Sequence, residues 1–452
     1  MDILQHLLHG FAQALQWHNL LFAFVGVLIG TAVGVLPGIG PMSGVALLIP
    51  VTASFTAGQD PESAAVSAII LLAGVYYGAM YGGSTTSILL NTPGESSSVV
   101  TALDGYQLAR QGRAGAALAI AAIGSFAAGI ISLIGLVALA QPLSEVALSF
   151  GPAEYFSLMI LGLCAVSGLA GKSVTKALIM TVLGLLLATI GIDNVSGVAR
   201  FTYGIPVLYS GLEFLTVAVG LFAIGEVCKT ILEKDAGSGP IARVGRILPT
   251  RTDLKQSAGP IARGSLLGFF IGILPGAGAT LASFFSYVLE RKISKNKDNF
   301  GKGAIEGVAA PESANNAASG GAMIPLLTLG IPGSGTTAIL MGALIMYNVQ
   351  PGPLLFSDHP SIAWGLIASM FIGNVMLLIL NMPLVKIFAK IIETPAKFLI
   401  PIIIAISIFG VYAVQYTTFD LLLLLACGIV GICWPNTIFR SRRSCSAWFW
   451  DR

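Results

Sequence analysis

Two inverted-topology repeats of membrane-spanning helices, interrupted near mid-membrane, form the all-α polytopic fold class that this sequence predicts. Three observations predict it. Only 10% of the 452 residues are charged and 55% are hydrophobic, whereas a soluble domain is about 25% charged. The stretch "GVLPGIGP" at 34–41 returns as "GILPGAGA" at 272–279. The loops that follow matched motifs carry opposite densities of Lys and Arg.

Composition sets the class. Apolar windows long enough to cross about 30 Å of hydrocarbon recur near 19–36, 66–90, 115–140, 153–170, 175–192, 208–232, 361–383, 398–416 and 419–432. Mean hydropathy is +0.85. The 54 glycines suit close helix packing in lipid. Ahead of the first window, residues 1–18 place Ile3, Leu7, Phe11 and Leu15 on one face, the pattern of an amphipathic helix lying in the interface. This segment lacks the basic start and cleavage site of a signal peptide.

Several function classes are excluded. The five cysteines show no paired ligand spacing, and His6, His9, His18 and His359 form no metal motif, so no cofactor is expected. A net charge of +3 gives no reason to expect a nucleic-acid partner. The glycines match neither a P-loop nor a dinucleotide fingerprint, which argues against an ATP-driven pump. No convergent His, Asp or Cys set points to an enzyme.

The repeat extends beyond one motif. "LLNTPGES" at 89–96 returns as "TLGIPGSG" at 328–335, and "GPAEYF" at 151–156 as "TPAKFL" at 394–399. Pro37 and Pro275, Pro93 and Pro332, and Pro152 and Pro395 are 238, 239 and 243 residues apart. Three landmarks in register indicate an internal duplication. The expected division is repeat 1 over 19–232, a cytoplasmic linker over 233–260, and repeat 2 over 261–432.

Charge orients each half. The linker and its flanks carry Lys229, Lys234, Arg243, Arg246, Arg251, Lys255 and Arg263, and cytoplasmic loops collect Lys and Arg. After the second Pro-Gly motif comes "ERKISKNKDNFGKG", whereas "SFTAGQDPES" after the first has no basic residue. After "NTPG" come Arg110 and Arg113; after "GIPG" no basic residue occurs before Ser361. The bias flips at each matched position, as it does when two similar halves insert upside down relative to each other. Arg263 before and Arg291 and Lys292 after the second motif predict a re-entrant hairpin, with arms of about 11 residues reaching roughly 16 Å each.

A helix broken at mid-membrane presents amide N–H groups at the start of its next half, where partial positive charge suits a carboxylate. The candidate substrate- and ion-binding residues follow from that chemistry. They are Pro37, Gly38, Gly40 and Ser43 at the first break, and Pro275, Gly276, Gly278 and Thr280 at its counterpart. Asn91, Thr92 and Gly94, with Pro332, Gly333 and Ser334, form the second pair of tips. Carbonyls freed by the breaks are candidate ligands for Na⁺. Thr85 and Thr86 in "GGSTTS" and Asn315 and Asn316 in "PESANNAAS" add side-chain donors and acceptors. Glu95, Asp104 and Glu312 are the best-placed ionisable residues, and no basic residue lies inside a predicted span core. Kinks used only for packing, and a helix cap around Asn315, are the alternatives.

The chain resembles the large membrane subunit of the tripartite tricarboxylate transporter family. The likeness rests on "FAQALQWHNLLFAFVGVLIGTAVGVLPGIGPMSGVALLIPVT", "YGGSTTSILLNTPGESSSVVTALDGYQLARQGRAG" and "AAPESANNAASGGAMIPLLTLGIPGSGTTAILMGALIMYNVQPGP", and runs to about Gly431. The resemblance implies a multi-pass protein of the bacterial inner membrane that imports small carboxylates such as citrate, driven by Na⁺ or H⁺. It also implies two partners: a small membrane subunit and a periplasmic solute-binding protein. Opposed hairpins at one site suggest elevator-like alternating access, by analogy. A channel-like or docking subunit without gradient coupling is the alternative.

Family members end with an apolar stretch resembling "FPxAPLVLGxVLG", whereas this chain turns to "CWPNTIFRSRRSCSAWFWDR" at 433–452. Reading each codon from the third base of the preceding one permits "LLAEHDFPIAPLVLGLVLG" after Ile432. Three of those residues are forced, each the one read after Trp434, Trp448 or Trp450, because tryptophan has a single codon. The expectation is a shifted reading frame over 433–452.

Overall fold

The computed structural model describes residues 3–36, 40–91, 93–151, 153–154, 156–157, 160, 174–193, 198–225, 247–276, 278–385, 387–388, 396–415 and 417–438. The helices are α1 (Ile3–Ala14), α2 (Trp17–Val35), α3 (Gly40–Phe55), α4 (Pro61–Leu90), α5 (Val99–Arg110) and α6 (Ala114–Leu148). Next come α7 (Val174–Ala188), α8 (Phe214–Ala218), α9 (Arg251–Ile273), α10 (Gly278–Ile293), α11 (Glu306–Gly321) and α12 (Met323–Leu329). The series ends with α13 (Gly335–Met346), α14 (Leu355–Asp358), α15 (Pro360–Asn381), α16 (Ala396–Gln415) and α17 (Thr418–Ile438). Four of them, α2, α4, α6 and α15, are long and apolar enough to cross a membrane among the described residues. Gly40–Phe55, Gly335–Met346 and Thr418–Gly431 are shorter apolar helical stretches. The expected span at 153–170 lies largely outside the described residues.

The chain forms two compact units. The larger comprises 1–45, 55–186 and 238–394, and the other 46–54, 187–237 and 395–452. Both halves of the sequence therefore contribute to the larger unit.

Within that unit, two glycine stripes set the helix pairs. Cβ atoms added at Gly26, Gly30 and Gly34 of α2 would stand 2.3, 2.4 and 2.2 Å from the carbonyl oxygens of Leu71, Val75 and Ala79 on α4. Cβ atoms at Gly264, Gly268 and Gly272 of α9 would stand 2.5, 2.2 and 2.3 Å from those of Ala310, Ala314 and Ala318 on α11. Only hydrogen at these six positions lets the backbones approach so closely, which is how helices associate tightly in lipid. The second stripe follows the first by 238 residues, the interval of the first proline pair.

The helix ends repeat at the same interval. Leu36 closes α2 at φ −85°, ψ 116° and donates its N–H to Val33. Leu274 closes α9 at φ −74°, ψ 117° and donates to Ile271. Asn91 ends α4 and Gly330 ends α12, both in the left-handed region. α3 and α10 then restart at Gly40 and Gly278, at φ 60° and 66°. Left-handed backbone admits glycine without the Cβ clash that other residues meet. At the second Pro-Gly motif the chain turns back, so that Arg263 on α9 donates two hydrogen bonds to Glu290 on α10, at 2.8 and 3.0 Å. The first arm of this hairpin is longer than the flanking charges suggested. Thr250 and Asp253 form a capping box that starts α9 at Arg251, so residues 251–260 are helical.

Two sets of loops converge. Arg113 ion-pairs with Asp253, and Gln111 donates to the Lys302 carbonyl at 2.8 Å. The segments around 111–113, 251–263 and 297–303, three basic stretches of the chain, therefore meet. Thr56 and Tyr347, from segments without Lys or Arg, share a hydroxyl contact of 3.0 Å. α1 docks on α15 through His6 stacked on Trp364, Phe11 against Phe371, and Gly10 against the Trp364 carbonyl. Ile3, Leu7 and Phe11 are partly covered as the predicted apolar face, while Leu15 lies beyond the helix and is exposed.

In the smaller unit, Gly191–Ile192 pairs antiparallel with Ala199–Arg200, and Arg200 ion-pairs with Asp193 at 2.9 Å. A π-helical stretch, Val219–Ile224, packs on α17, where Gly220 approaches Cys427 and Leu424. Thr216 donates to Asp420 at 3.4 Å.

Candidate functional site

Helix breaks of the two halves meet in the larger unit. The Gly276 N–H donates to the Gly333 carbonyl at 3.2 Å, joining the two breaks of the second half. Their counterparts approach likewise, for a Cβ at Gly94 would stand 2.2 Å from the Gly34 carbonyl. Contacts also run between halves. The Ser96 and Thr280 hydroxyls lie 2.9 Å apart. Gly335, which matches Ser96, sits against the methyl group of Met42, which matches Thr280. Contacts between matched residues thus occur twice, as they would around an approximate two-fold axis. Beside both Gly40 and Gly278, no described heavy atom other than those of the glycine, its chain neighbours and its own helix backbone lies within 4 Å of where a Cβ would stand.

The tips differ in detail. Ser334 caps α13, its hydroxyl accepting from the Thr337 N–H at 3.3 Å while its own N–H donates to the Thr337 hydroxyl at 2.8 Å. This reciprocal box fixes the α13 entrance. In the first half Glu95 occupies the matching position and accepts from the Ser97 hydroxyl at 2.5 Å. Pro37, Gly38 and Thr92 lie outside the described residues. Ser43, Thr85 and Thr86 are buried, and the Thr86 hydroxyl donates to the Gly83 carbonyl at 3.2 Å. Asn91 is exposed, as the left-handed residue that ends α4.

Asn315 and Asn316 lie inside α11, both buried, and so do not form the cap and turn that the sequence left open. Asn316 Nδ2, with two hydrogens to donate, lies 2.7 Å from Ser125 Oγ, 2.5 Å from Asn315 Oδ1 and 3.0 Å from the Glu312 carbonyl oxygen. Asn315 Nδ2 donates to Glu312 Oε2 at 3.4 Å. Thr101, from α5 of the first half, donates its hydroxyl to Glu312 Oε1. Buried polar groups hold their place only when so connected.

The three ionisable suspects have different fates. Asp104 accepts from Tyr287 Oη at 2.8 Å and from the N–H groups of Gly301, Gly303 and Ala304 at 2.8, 2.9 and 2.8 Å. Its Oδ1 pins the 301–304 turn to α5, and its Oδ2 accepts from Tyr287. Glu95 and Glu312 are buried, and neither pairs with a basic side chain among the described residues. Thr101, Ser125 and Tyr76, the last placed beside Ser319 and Ser334, were not singled out by sequence. Tyr76 and Ser125 are single hydroxyls in apolar helices with no motif to mark them, and Thr101 sits in a quoted block whose tip residues drew the attention.

Comparison with known proteins assigns the family. The model of the tripartite tricarboxylate transporter TctA family matches residues 20–442. An Agrobacterium vitis protein, "Uncharacterized 52.8 kDa protein in TAR-I ttuC' 3'region", is 47% identical over 431 residues, covering 95% of this chain and 84% of the relative. A second from the same organism, "Uncharacterized protein in TAR-II ttuC' 3'region", is 47% identical over 164 residues, 36% of this chain and 68% of the relative. No solved structure matches the chain. Its apolar helices, its paired breaks and the match over nearly its full length agree: the chain is a membrane protein and belongs to the tripartite tricarboxylate transporter TctA family.

Proposed function

We propose that this protein is a secondary carrier for small carboxylates, tricarboxylates such as citrate or related di- and monocarboxylates. It takes its substrate from a periplasmic solute-binding protein, beside a small membrane subunit, and couples uptake across the bacterial inner membrane to Na⁺ or H⁺. The family is one of tripartite transporters, which supports the partners. The observation that carries the proposal is the twofold contact between breaks, Ser96 with Thr280 and Gly335 with Met42.

Breaks that meet at one place gather half-helix N-termini, free carbonyls and hydroxyls there, while the surrounding spans stay apolar. A carboxylate then finds amide and hydroxyl donors at the starts of α3 and α10, where there is room beside Gly40 and Gly278. The convergence of basic segments around Arg113, Asp253 and Lys302, and of uncharged ones around Thr56 and Tyr347, supports an inverted arrangement of the halves. Each set joins the end of one half's first hairpin to the end of the other half's second. Elevator-like movement of the site is the mechanism we attach to that arrangement.

Reconstitution tests it. With both partners present, proteoliposomes should show saturable carboxylate uptake that follows an imposed Na⁺ or H⁺ gradient. Linear, uncoupled flux would instead identify a channel-like or docking subunit.

A further inference from the structure

We propose that Glu312, Asn315 and Asn316 of α11 and Thr101 of α5 form a sodium-binding site, the place where the coupling cation loads. The proposal rests on the cation-coupled carrier function above and names residues for it within the helices, not at the hairpin tips.

Glu312 is fully buried. A carboxylate in such a place needs a positive charge or a proton, because the apolar interior cannot solvate it. On the elements packed against α11, Arg110 of α5, Arg251 and Lys255 of α9, and Arg291 and Lys292 of α10 are exposed, and none of them pairs with Glu312 among the described residues. Asp104 on α5 is occupied by the 301–304 turn, and Glu95, just ahead of α5, is a second buried carboxylate close enough to repel Glu312. Arg263 on α9 is held by Glu290 of α10 through two hydrogen bonds. Tyr287 on α10 donates to Asp104. Tyr76 and Tyr77 on α4 are phenols. Glu312 therefore has no basic partner among the described residues.

A second observation separates sodium from a proton. Asn316 Oδ1 is buried and has no hydrogen-bond partner, although the two hydrogens of the same amide's Nδ2 have three acceptors within reach. The oxygen belongs to the chain that links Thr101, Glu312, Asn315, Asn316 and Ser125. A proton on Glu312 would remove its charge yet leave Asn316 Oδ1 unpaired. A sodium ion is a hard cation that takes carboxylate, amide-carbonyl and hydroxyl oxygens together, so it answers both demands. Thr101 can donate its hydrogen to Glu312 and still offer an oxygen lone pair. Because Thr101 comes from the first half and Glu312 from the second, an ion here ties α5 to α11 when bound.

The test uses the full chain purified into nanodiscs, with ²²Na⁺ as the probe. The wild type should bind Na⁺ saturably and gain thermal stability in NaCl over choline chloride. E312Q should weaken binding at least tenfold and remove that gain. E312D and T101V should each weaken it severalfold, and they serve as readouts where E312Q does not fold. Wild-type affinity in E312Q, or in both E312D and T101V, overturns the site, as does a wild type indifferent to Na⁺. Proteoliposome assays with both partners keep the two proposals apart. Uptake that stays Na⁺-coupled in E312Q, or that follows pH with no Na⁺ effect, removes the site and leaves the carrier. Na⁺ binding lost in E312Q, alongside uncoupled wild-type flux, removes the carrier and leaves the site.

Discussion

The Ser96 hydroxyl lies 2.9 Å from the Thr280 hydroxyl, joining the break after α4 in one half to the start of α10 in the other. Cysteines at the two positions should form an intrachain cross-link on oxidation, since sulfur replaces oxygen at nearly the same reach. The cross-linked protein should lose carboxylate binding and regain it on reduction. Cross-linking that leaves binding intact would show that this contact lies away from the substrate.

Glycines of the stripes should respond to alanine in stability, and glycines of the breaks chiefly in carboxylate affinity. A Cβ at Gly268 would meet the Ala314 carbonyl at 2.2 Å and must push α9 from α11. G268A should therefore lower stability by about 1–3 kcal/mol, as overpacking does, with a fall in thermal midpoint. A Cβ at Gly278 meets open space and only the left-handed φ of 66° opposes it. G278A should cost about 1–2 kcal/mol at most while reducing carboxylate affinity in a binding assay.

The loop contacts predict sidedness. Single cysteines at Gly112 and Asn299 should react with an impermeant maleimide from one face of the membrane. Cysteines at Gln59 and Gln350 should react from the other. All four positions are exposed, and each pair flanks a contact between halves. Labelling of positions 112 and 299 from opposite faces would break the inverted arrangement.

Asp253 carries a pH signature. Burial pushes its carboxyl upward, but hydrogen bonds from Thr250 and the charge and hydrogen bond of Arg113 outweigh burial and hold it below the ordinary aspartate value. A lowered folded-state value means that the stabilisation is complete above pH ~4, the ordinary range of an aspartate. It disappears as pH falls through the lower folded value. R113A should reduce stability at neutral pH by on the order of 1 kcal/mol, because the arginine is largely solvated. The difference from wild type should shrink as the medium is acidified, which thermal unfolding across pH would measure.

Much of the fold was legible in the sequence because the signals are local. Pro275 followed by Gly276, at a left-handed φ of 78°, interrupts a helix locally, and the structure ends α9 at Ile273 and restarts the chain as α10 at Gly278. Arg263 and Arg291 flank the motif with like charge, and the chain turns back there so that Arg263 reaches Glu290. The start of α9 was less visible. Thr250 and Asp253 are an ordinary capping box that a reading of Lys and Arg density passes over.

The sequence by itself determined that this is a membrane protein, where its helices break, and which loops are basic. Those properties follow from composition, from backbone restrictions at proline and glycine, and from charge, all of which belong to a residue whatever its neighbours. Only the tertiary structure decided that Asp104 is consumed by the 301–304 turn, that Thr101 reaches Glu312, and that Ser96 meets Thr280. Each of those contacts spans more than 180 residues of chain. A polar group buried in lipid takes whatever partner the packed helices bring to it, and sequence spacing carries no trace of that choice.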